Sequence, residues 1–407
     1  MSRIAYIISA YKDAPHLARL VAALEGDADF YVHVDLNADI APFRAALDGK
    51  VTFVPRHRVS WGGWEQVAYQ QELLGAVCHS GVAYDRVVCL SAQDYPLWTR
   101  GEIAAYFEHY ADTEFIMGYD ITACSMARQH HRVTRYHLFR DLPWCNRWLK
   151  DKAVVASRWL MKVLPLRKPA TVSIGGKAAH VFFGSDYWSL TMPCARYVYD
   201  TLCHEAALRR YFRTAFVPSE LCVQTIVFNS PFAAHALRLS GDYPGLKRLT
   251  PLHHICYGSS IKVFTREDLP ELQESGRMFC RKVATGVSDG MVEALAGRTS
   301  DRPLAELPSF RQLYPTLDSL EPDGAGKSRK QNVLKALCVV GVLALLTGVQ
   351  TSCNTLLGTF TGYQKCEEPG CGEWVKAKSG YCQYHGGDAI SIKLKKSDKE
   401  SKKRVQH

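Results

Sequence analysis

Ile4-Ala5-Tyr6-Ile7-Ile8 lies at the centre of a strand expected over residues 3–10, and Phe30-Tyr31-Val32-His33-Val34-Asp35 closes the next one. Between them Pro15–Leu24 has helical spacing of apolar residues and ends at Gly26. The same alternation continues with a helix around Ala41–Leu47 and a strand at Val51–Val54. A helix over 65–79, a strand over 84–91, a helix over 101–110 and a strand over 113–118 follow. This βαβ rhythm predicts an α/β fold whose central sheet is mostly parallel and covered by helices. Ligands of such sheets bind beyond the carboxyl ends of the strands, where Asp35 and Asp94 fall.

The chain has 407 residues, enough for a large core and two or three domains. Its net charge of +10 is uneven: from Lys327 onward there are 14 Lys/Arg against 6 Asp/Glu, so the first 326 residues are nearly neutral. Nine of the 14 cysteines lie before residue 327, several within apolar runs where a thiol packs as a small hydrophobe. No signal peptide precedes the first strand, so reduced cysteines and a cytoplasmic location are expected.

A second stretch carries the chemistry. Pro218-Ser219-Glu220-Leu221-Cys222-Val223 joins a proline turn to an apolar, helix-like run. Pro218 sets the turn, Ser219 reads as the cap, and Glu220 falls in the first helical turn at the rim of a cleft. Other short patterns accompany it in order: His33-Val34-Asp35, Trp61-Gly62-Gly63, Leu90-Ser91-Ala92-Gln93-Asp94-Tyr95-Pro96, Gly184-Ser185-Asp186-Tyr187-Trp188 and Phe279-Cys280-Arg281-Lys282. In this order and at these separations, over residues 3 to 285, the chain resembles the core-2/I-branching β-1,6-N-acetylglucosaminyltransferases and peptide O-xylosyltransferases. The resemblance implies a GT-A-like, Rossmann-type nucleotide-sugar domain and a metal-independent enzyme.

It also implies roles for particular residues. Glu220 would be the general base that deprotonates an acceptor hydroxyl, and a single direct displacement would invert an α-linked donor to a β-linked product. Arg281 and Lys282 match the pair that compensates the departing diphosphate, with Lys262 a third candidate. Asp35 resembles the residue that contacts uracil, and it is also a turn cap by position. Trp61 would lie near the nucleotide, although a tryptophan at a helix start commonly belongs to the core. Asp94 would orient the site or cap its turn. Asp186 and Trp188 look like the acceptor-side acid and aromatic, with Tyr187 standing where relatives often have tryptophan. Gln93-Asp94 is not an Asp-x-Asp metal pair, and Asp27-Ala28-Asp29 precedes a strand and reads as a surface turn. His130-His131 receives no role.

The expected function is therefore transfer of GlcNAc or xylose from a UDP-sugar to a glycan or lipid-linked saccharide of a bacterial surface polymer, with no catalytic cofactor. The alternatives are a transferase using UDP-glucuronic acid or UDP-galactose, and a non-catalytic nucleotide- or glycan-binding protein. Within this glycosyltransferase domain (residues 1–306), residues 119–175 form a basic, aromatic insertion. Between Arg128 and Lys168 there are 11 Lys/Arg against two Asp, interleaved with Trp144, Trp148 and Trp159. It reads as a flap over an anionic acceptor, or as a helical hairpin whose tryptophans pack on the core. Nothing matches a nucleic-acid-binding module, and no nucleic-acid partner is expected.

Residues 307–330 read as a linker and 331–362 as a hydrophobic segment. Ala336–Val349 carries no charge, and the uncharged stretch reaches Gly362, long enough for a membrane span. The basic start, apolar core and Thr351-Ser352-Cys353 also resemble a lipoprotein signal sequence, and a fusion of two reading frames fits as well. Attachment to the inner membrane through 336–362 is one expectation. In residues 363–390, Cys366, Cys371, Cys382 and His385 have a spacing that suits a structural zinc ion, which would give so small a module a reason to fold. Residues 391–407 read as a basic, disordered tail.

Overall fold

The computed structural model describes residues 2–310 except 142–146, 165, 240, 242, 244, 259 and 299, together with Gln312 and the segments 363–365 and 374–376. The chain divides into two units, Met1–Asp323 and Gly324–His407. The expected hydrophobic segment 331–362, the four candidate zinc ligands, the 391–407 tail and most of the 307–330 linker lie outside the described residues. Among the described residues no helix is long and apolar enough to cross a membrane.

The first unit opens with β1 (Ile4–Ala10), α1 (Ala14–Leu24), β2 (Ala28–Val34), α2 (Ala41–Leu47), β3 (Thr52–Phe53), α3 (Glu65–Cys78) and β4 (Arg86–Ser91). β5 (Asp94–Pro96), α4 (Arg100–His109), β6 (Met117–Asp120), α5 (Ala127–Thr134), α6 (Arg147–Val163), β7 (Val172–Ile174), β8 (Lys177–Ala179), β9 (Phe182–Phe183) and β10 (Ser189–Thr191) follow. The unit continues through α7 (Met192–His204), α8 (Ala206–Phe212), α9 (Ser219–Phe228), β11 (Leu237–Leu239), β12 (His253–Ile255), α10 (Leu269–Glu274), β13 (Phe279–Arg281) and α11 (Asp289–Ala296).

The central sheet has the order β3-β2-β1-β4-β10, with β10 antiparallel at one edge and the other strands parallel. The strand order reverses between β1 and β4, which opens a crevice at their carboxyl ends. Successive side chains on β1 enter different cores. Ala5 and Ile7 pack with Val87, Trp188 and Leu221, whereas Tyr6 and Ile8 pack with Leu90, Phe264 and Phe279. Both faces of the sheet are thus dry, which explains the unbroken apolar run of β1. α1 starts at Asp13, whose carboxylate accepts the His16 amide at 3.2 Å.

Two elements differ from expectation. Residues 113–118 were expected to form a strand, but Phe115 makes only an isolated bridge to Ser189 and the strand proper is Met117–Asp120. That strand belongs to a second sheet, β11-β6-β9. Asp94 falls beyond the carboxyl end of β4 as expected, but it also begins a short strand that the rhythm did not place, β5, in a third sheet ordered β12-β13-β5. Its carboxylate takes the Ser91 amide at 2.7 Å, which terminates β4 and turns the chain into the next sheet.

In the second unit β14 (Tyr363–Lys365) pairs antiparallel with β15 (Trp374–Lys376). Cys366 and Cys371 fall in the sequence between these two strands.

Candidate active site

Val217 adopts a left-handed φ of 54° and Pro218 caps α9, so the chain turns sharply before Glu220. Ser219 does not cap the helix as its position suggested. Its hydroxyl donates instead to Asp186 Oδ2 at 3.2 Å, a tertiary partner that outcompetes the local one. The Glu220 carbonyl accepts the Gly184 amide at 2.9 Å. A Cβ at Gly184 would lie 2.1 Å from the Met117 carbonyl oxygen, so only glycine lets this segment run against β6 and α9. The Gly-Ser-Asp motif is therefore a backbone clamp that presses Asp186 toward Glu220.

The two acids titrate as a pair. Burial pushes the Glu220 carboxyl up and the Asp186 charge adds to that, while the Arg132 guanidinium opposes it. Burial likewise raises Asp186, against the Ser219 hydroxyl bond and Arg281. Among the described residues, Asp186 Oδ1 is buried without a hydrogen-bond partner. Arg132 Nη1 stands 3.6 Å from Glu220 Oε2, and its guanidinium lies 4.5 Å above Phe183 and 5.5 Å from the Phe216 ring.

Cationic charge converges from β13. Arg281 Nη1 donates to Asp94 Oδ1 at 2.9 Å, and its guanidinium lies 5.2 Å from the centre of the Tyr187 ring. Asp94 is fully buried, with Oδ2 taken by the Ser91 amide and by His253 Nε2 at 3.2 Å. Both oxygens are thus engaged, and Asp94 positions Arg281 rather than facing a ligand. Burial, Arg281 and Lys12 together lower the Lys282 ammonium to about 8. Tyr11, beside Lys12, donates its hydroxyl to Gln93 at 3.2 Å. Lys262 lies beside Lys282, whose amide donates to the Lys262 carbonyl at 3.1 Å, but its ammonium is taken by acids, 2.6 Å from Asp268 and 4.0 Å from Glu271.

The Trp-Gly-Gly motif forms a turn ahead of α3, whose first residue is Glu65. A Cβ at Gly63 would fall 1.9 Å from Asp141 Oδ1, and one at Gly62 3.1 Å from Arg140 Nη1. The two glycines therefore make room for Arg140 and Asp141, which bond the Trp61 carbonyl at 2.9 Å and the Trp64 amide at 2.6 Å. Trp61 is not core: it is 70% exposed and meets Phe216 edge-on, whereas Trp64 is buried. Asp35 lies at the carboxyl end of β2, where Oδ1 accepts from the Asn37 amide, the Asn37 side chain and the Val59 amide.

Trp188 requires a correction. It is fully buried among the central-sheet residues and offers no face to a sugar. The aromatic residue that reaches the site is Tyr187, packed against Arg281 and His253. Asp27-Ala28-Asp29 is also more than a turn. Its last two residues open β2, and Asp29 binds Arg3 and Tyr84 at the end of that strand opposite Asp35. Among the described residues one cluster has metal-ligand geometry, His254, Cys256 and Glu271. His254 adjoins His253 on β12, so it faces away from Asp94. Among the described residues a groove of about 1080 Å³, lined by Tyr6, Leu24, Trp98 and Val292 among others, contains none of the candidate residues.

Residues 4–240 match the family model Core-2/I-Branching enzyme. The chain belongs to that family. The resemblance read from the motifs is borne out, although Phe279-Cys280-Arg281-Lys282 lies beyond the matched residues. The chain is 26% identical over 312 residues to xylosyltransferase 2 of Canis lupus familiaris, covering 72% of this chain and 33% of that protein. Xylosyltransferase 1 of the same organism is 25% identical over 341 residues, covering 79% and 33%. The human xylosyltransferase 2 is 26% identical over 312 residues, again covering 72% and 33%. This member of the Core-2/I-Branching family thus spans about a third of the length of these relatives. Sequence reasoning did not single out Arg132, Arg140 or Lys12. The one signal for Arg140 was the Gly62-Gly63 pair, which announces a close approach without naming what approaches.

Proposed function

We propose that the chain is a GT-A-like, inverting glycosyltransferase that moves GlcNAc or xylose from a UDP-sugar to a glycan hydroxyl without a catalytic metal. The supporting observation is the gathering of Glu220, Asp186 and Arg281 in one electrostatic cluster, in which Asp186 feels both of its neighbours. The acceptor O–H proton passes to Glu220 while the acceptor oxygen bonds to the anomeric carbon. On the opposite face the bond to the diphosphate breaks, and its electron pair leaves with UDP toward Arg281 and Lys282. Asp186 Oδ1 takes an acceptor hydroxyl, Asp35 addresses the base, and Trp61 borders the nucleotide or acceptor mouth. Guanidinium chemistry at the strand end supports the metal-free reading, since both Asp94 oxygens are engaged by protein groups. The Cys366, Cys371, Cys382 and His385 set is proposed to hold a structural zinc ion separate from this chemistry.

The test is UDP release from a panel of UDP-sugars with glycan acceptors, with and without EDTA, for the full chain and Glu220→Gln. Release from one donor that survives EDTA and falls by about 10²–10⁴ in the variant is expected. A panel answered by UDP-glucuronic acid or UDP-galactose would replace the donor, and EDTA-sensitive release would overturn the cation pair as the diphosphate's partner.

A further inference from the structure

α6 is amphipathic in the wrong direction for a helix of a globular core. Ser157 and Met161 turn inward, while Trp148, Val155, Trp159 and Val163, at spacings of seven, four and four, share the outer face. Leu149 and Leu160 flank that stripe, and all six are between 39% and 63% exposed. Together with Leu166 they make up half of the exposed large hydrophobic side chains among the described residues. Of the tryptophans that the hairpin alternative would pack on the core, Trp148 and Trp159 are 51% and 39% exposed, and Trp144 lies outside the described residues.

A stripe of this size is rarely left in water, and its chemistry selects what covers it. Within α6 itself there are five Lys/Arg, at 147, 150, 152, 158 and 162, against one acid, Asp151. Aromatic and aliphatic residues on one face with basic residues around them are the composition of a helix that lies in a membrane interface. A second copy is disfavoured, because its Lys152 and neighbouring cations would meet their own kind. We propose that the outer face of α6 docks on an anionic lipid surface.

The opposite side of the same helix reaches toward the reaction centre. Lys150 Nζ donates to Ser60 Oγ at 2.6 Å. Ser60 precedes the exposed Trp61, Trp61 packs on Phe216, and Arg132 bridges Phe216 and Glu220. Docking would hold the acceptor mouth at headgroup level, so the acceptor hydroxyl belongs to a lipid-borne saccharide. That last step rests on the glycosyltransferase reading; the docking itself does not.

Hydrogen exchange of the full chain tests it locally, so binding through any other segment is not mistaken for it. With vesicles of phosphatidylcholine and phosphatidylglycerol, the amides of residues 147–163 should exchange about tenfold more slowly, and with phosphatidylcholine alone they should not. Val155→Glu, Trp159→Glu and Val163→Glu combined should abolish the protection, leave the exchange of β1 unchanged as a fold control, and reduce transfer to lipid-borne but not soluble acceptors. Vesicle binding with unchanged exchange in 147–163 would overturn the proposal. So would protection that grows with protein concentration without lipid, which identifies a second copy, or protection given by an acidic polypeptide but not by vesicles. Because exchange needs no turnover, failure of the docking and failure of the assigned activity are distinguishable.

Discussion

Arg132→Gln separates a base that must be ionised from a carboxylate that only binds. Glu220 is raised by burial and by Asp186, and Arg132 is the cation that opposes them. At 3.6 Å the attraction is about 4–5 kcal/mol with an effective dielectric of about 20, and about 1 kcal/mol with that of water. Both side chains keep some exposure, 19% and 17%, so a working value is about 1–3 kcal/mol, which moves the Glu220 titration by about one to two on the pH scale. Removing the guanidinium pushes that carboxyl higher. Below its new midpoint the variant should be slower, by about tenfold for each pH unit that the midpoint has moved, and it should recover at higher pH. The assay is kcat for UDP release across about pH 6 to 10 at saturating donor and acceptor, with Arg132→Lys expected to restore part of the original profile. A lower plateau with the rising limb in its original place would refute the reasoning, because Arg132 would then act on binding or folding and not on the base.

Other outcomes follow from the same geometry. Glu220→Gln should cost activity yet stabilise the fold in alkali: a carboxyl raised above its ordinary value near 4.5 loses stability as pH rises through the raised value. Its Tm should match wild type in acid and exceed it by about a few degrees in mild alkali, whereas a uniform drop would show that the carboxylate is structural. Arg281→Met strands the buried Asp94 carboxylate, so thermal unfolding should register about 3–5 kcal/mol of lost stability alongside a raised donor KM. An unchanged Tm would mean that Asp94 does not hold this guanidinium. Trp188→Phe should lower stability by about 1–3 kcal/mol through a core void and leave acceptor KM alone. A several-fold rise in acceptor KM at constant Tm would return that ring to the site.

The central sheet was legible because both of its faces are dry. A run such as Ile4-Ala5-Tyr6-Ile7-Ile8 admits few alternatives to a buried strand, and β1, β2, α2 and β4 fall close to their expected positions. Ser219 was misread because a cap is a local inference, and its hydroxyl is claimed by Asp186, 33 residues away. Trp188 was misread because core and sugar platform demand the same residue type, and burial alone tells them apart. Arg132 was hidden for another reason. It is one of 11 basic residues between Arg128 and Lys168, and only the meeting of α5 with Phe183, Phe216 and Glu220 selects it.

The acid and cation clusters move in opposite senses, so the proposed mechanism predicts a bell-shaped pH dependence. Burial and like charge raise Glu220, so the fraction of ionised base grows with pH. Burial, Arg281 and Lys12 lower Lys282 to about 8, so its charge is lost as pH climbs through that value. On the proposed mechanism a diphosphate would relieve the crowding that makes Lys282 a reluctant cation, because its charge favours the protonated ammonium. UDP should therefore bind with uptake of a fraction of a proton near pH 8 and weaken by up to about tenfold for each pH unit above it. Calorimetry of UDP binding in buffers of different ionisation enthalpy measures that uptake directly. Lys282→Arg keeps the charge at every pH of the series, so the proton uptake and the alkaline fall in affinity should vanish together. If both persist in Lys282→Arg, the titrating cation is another group, and Lys12 is the neighbour to test next.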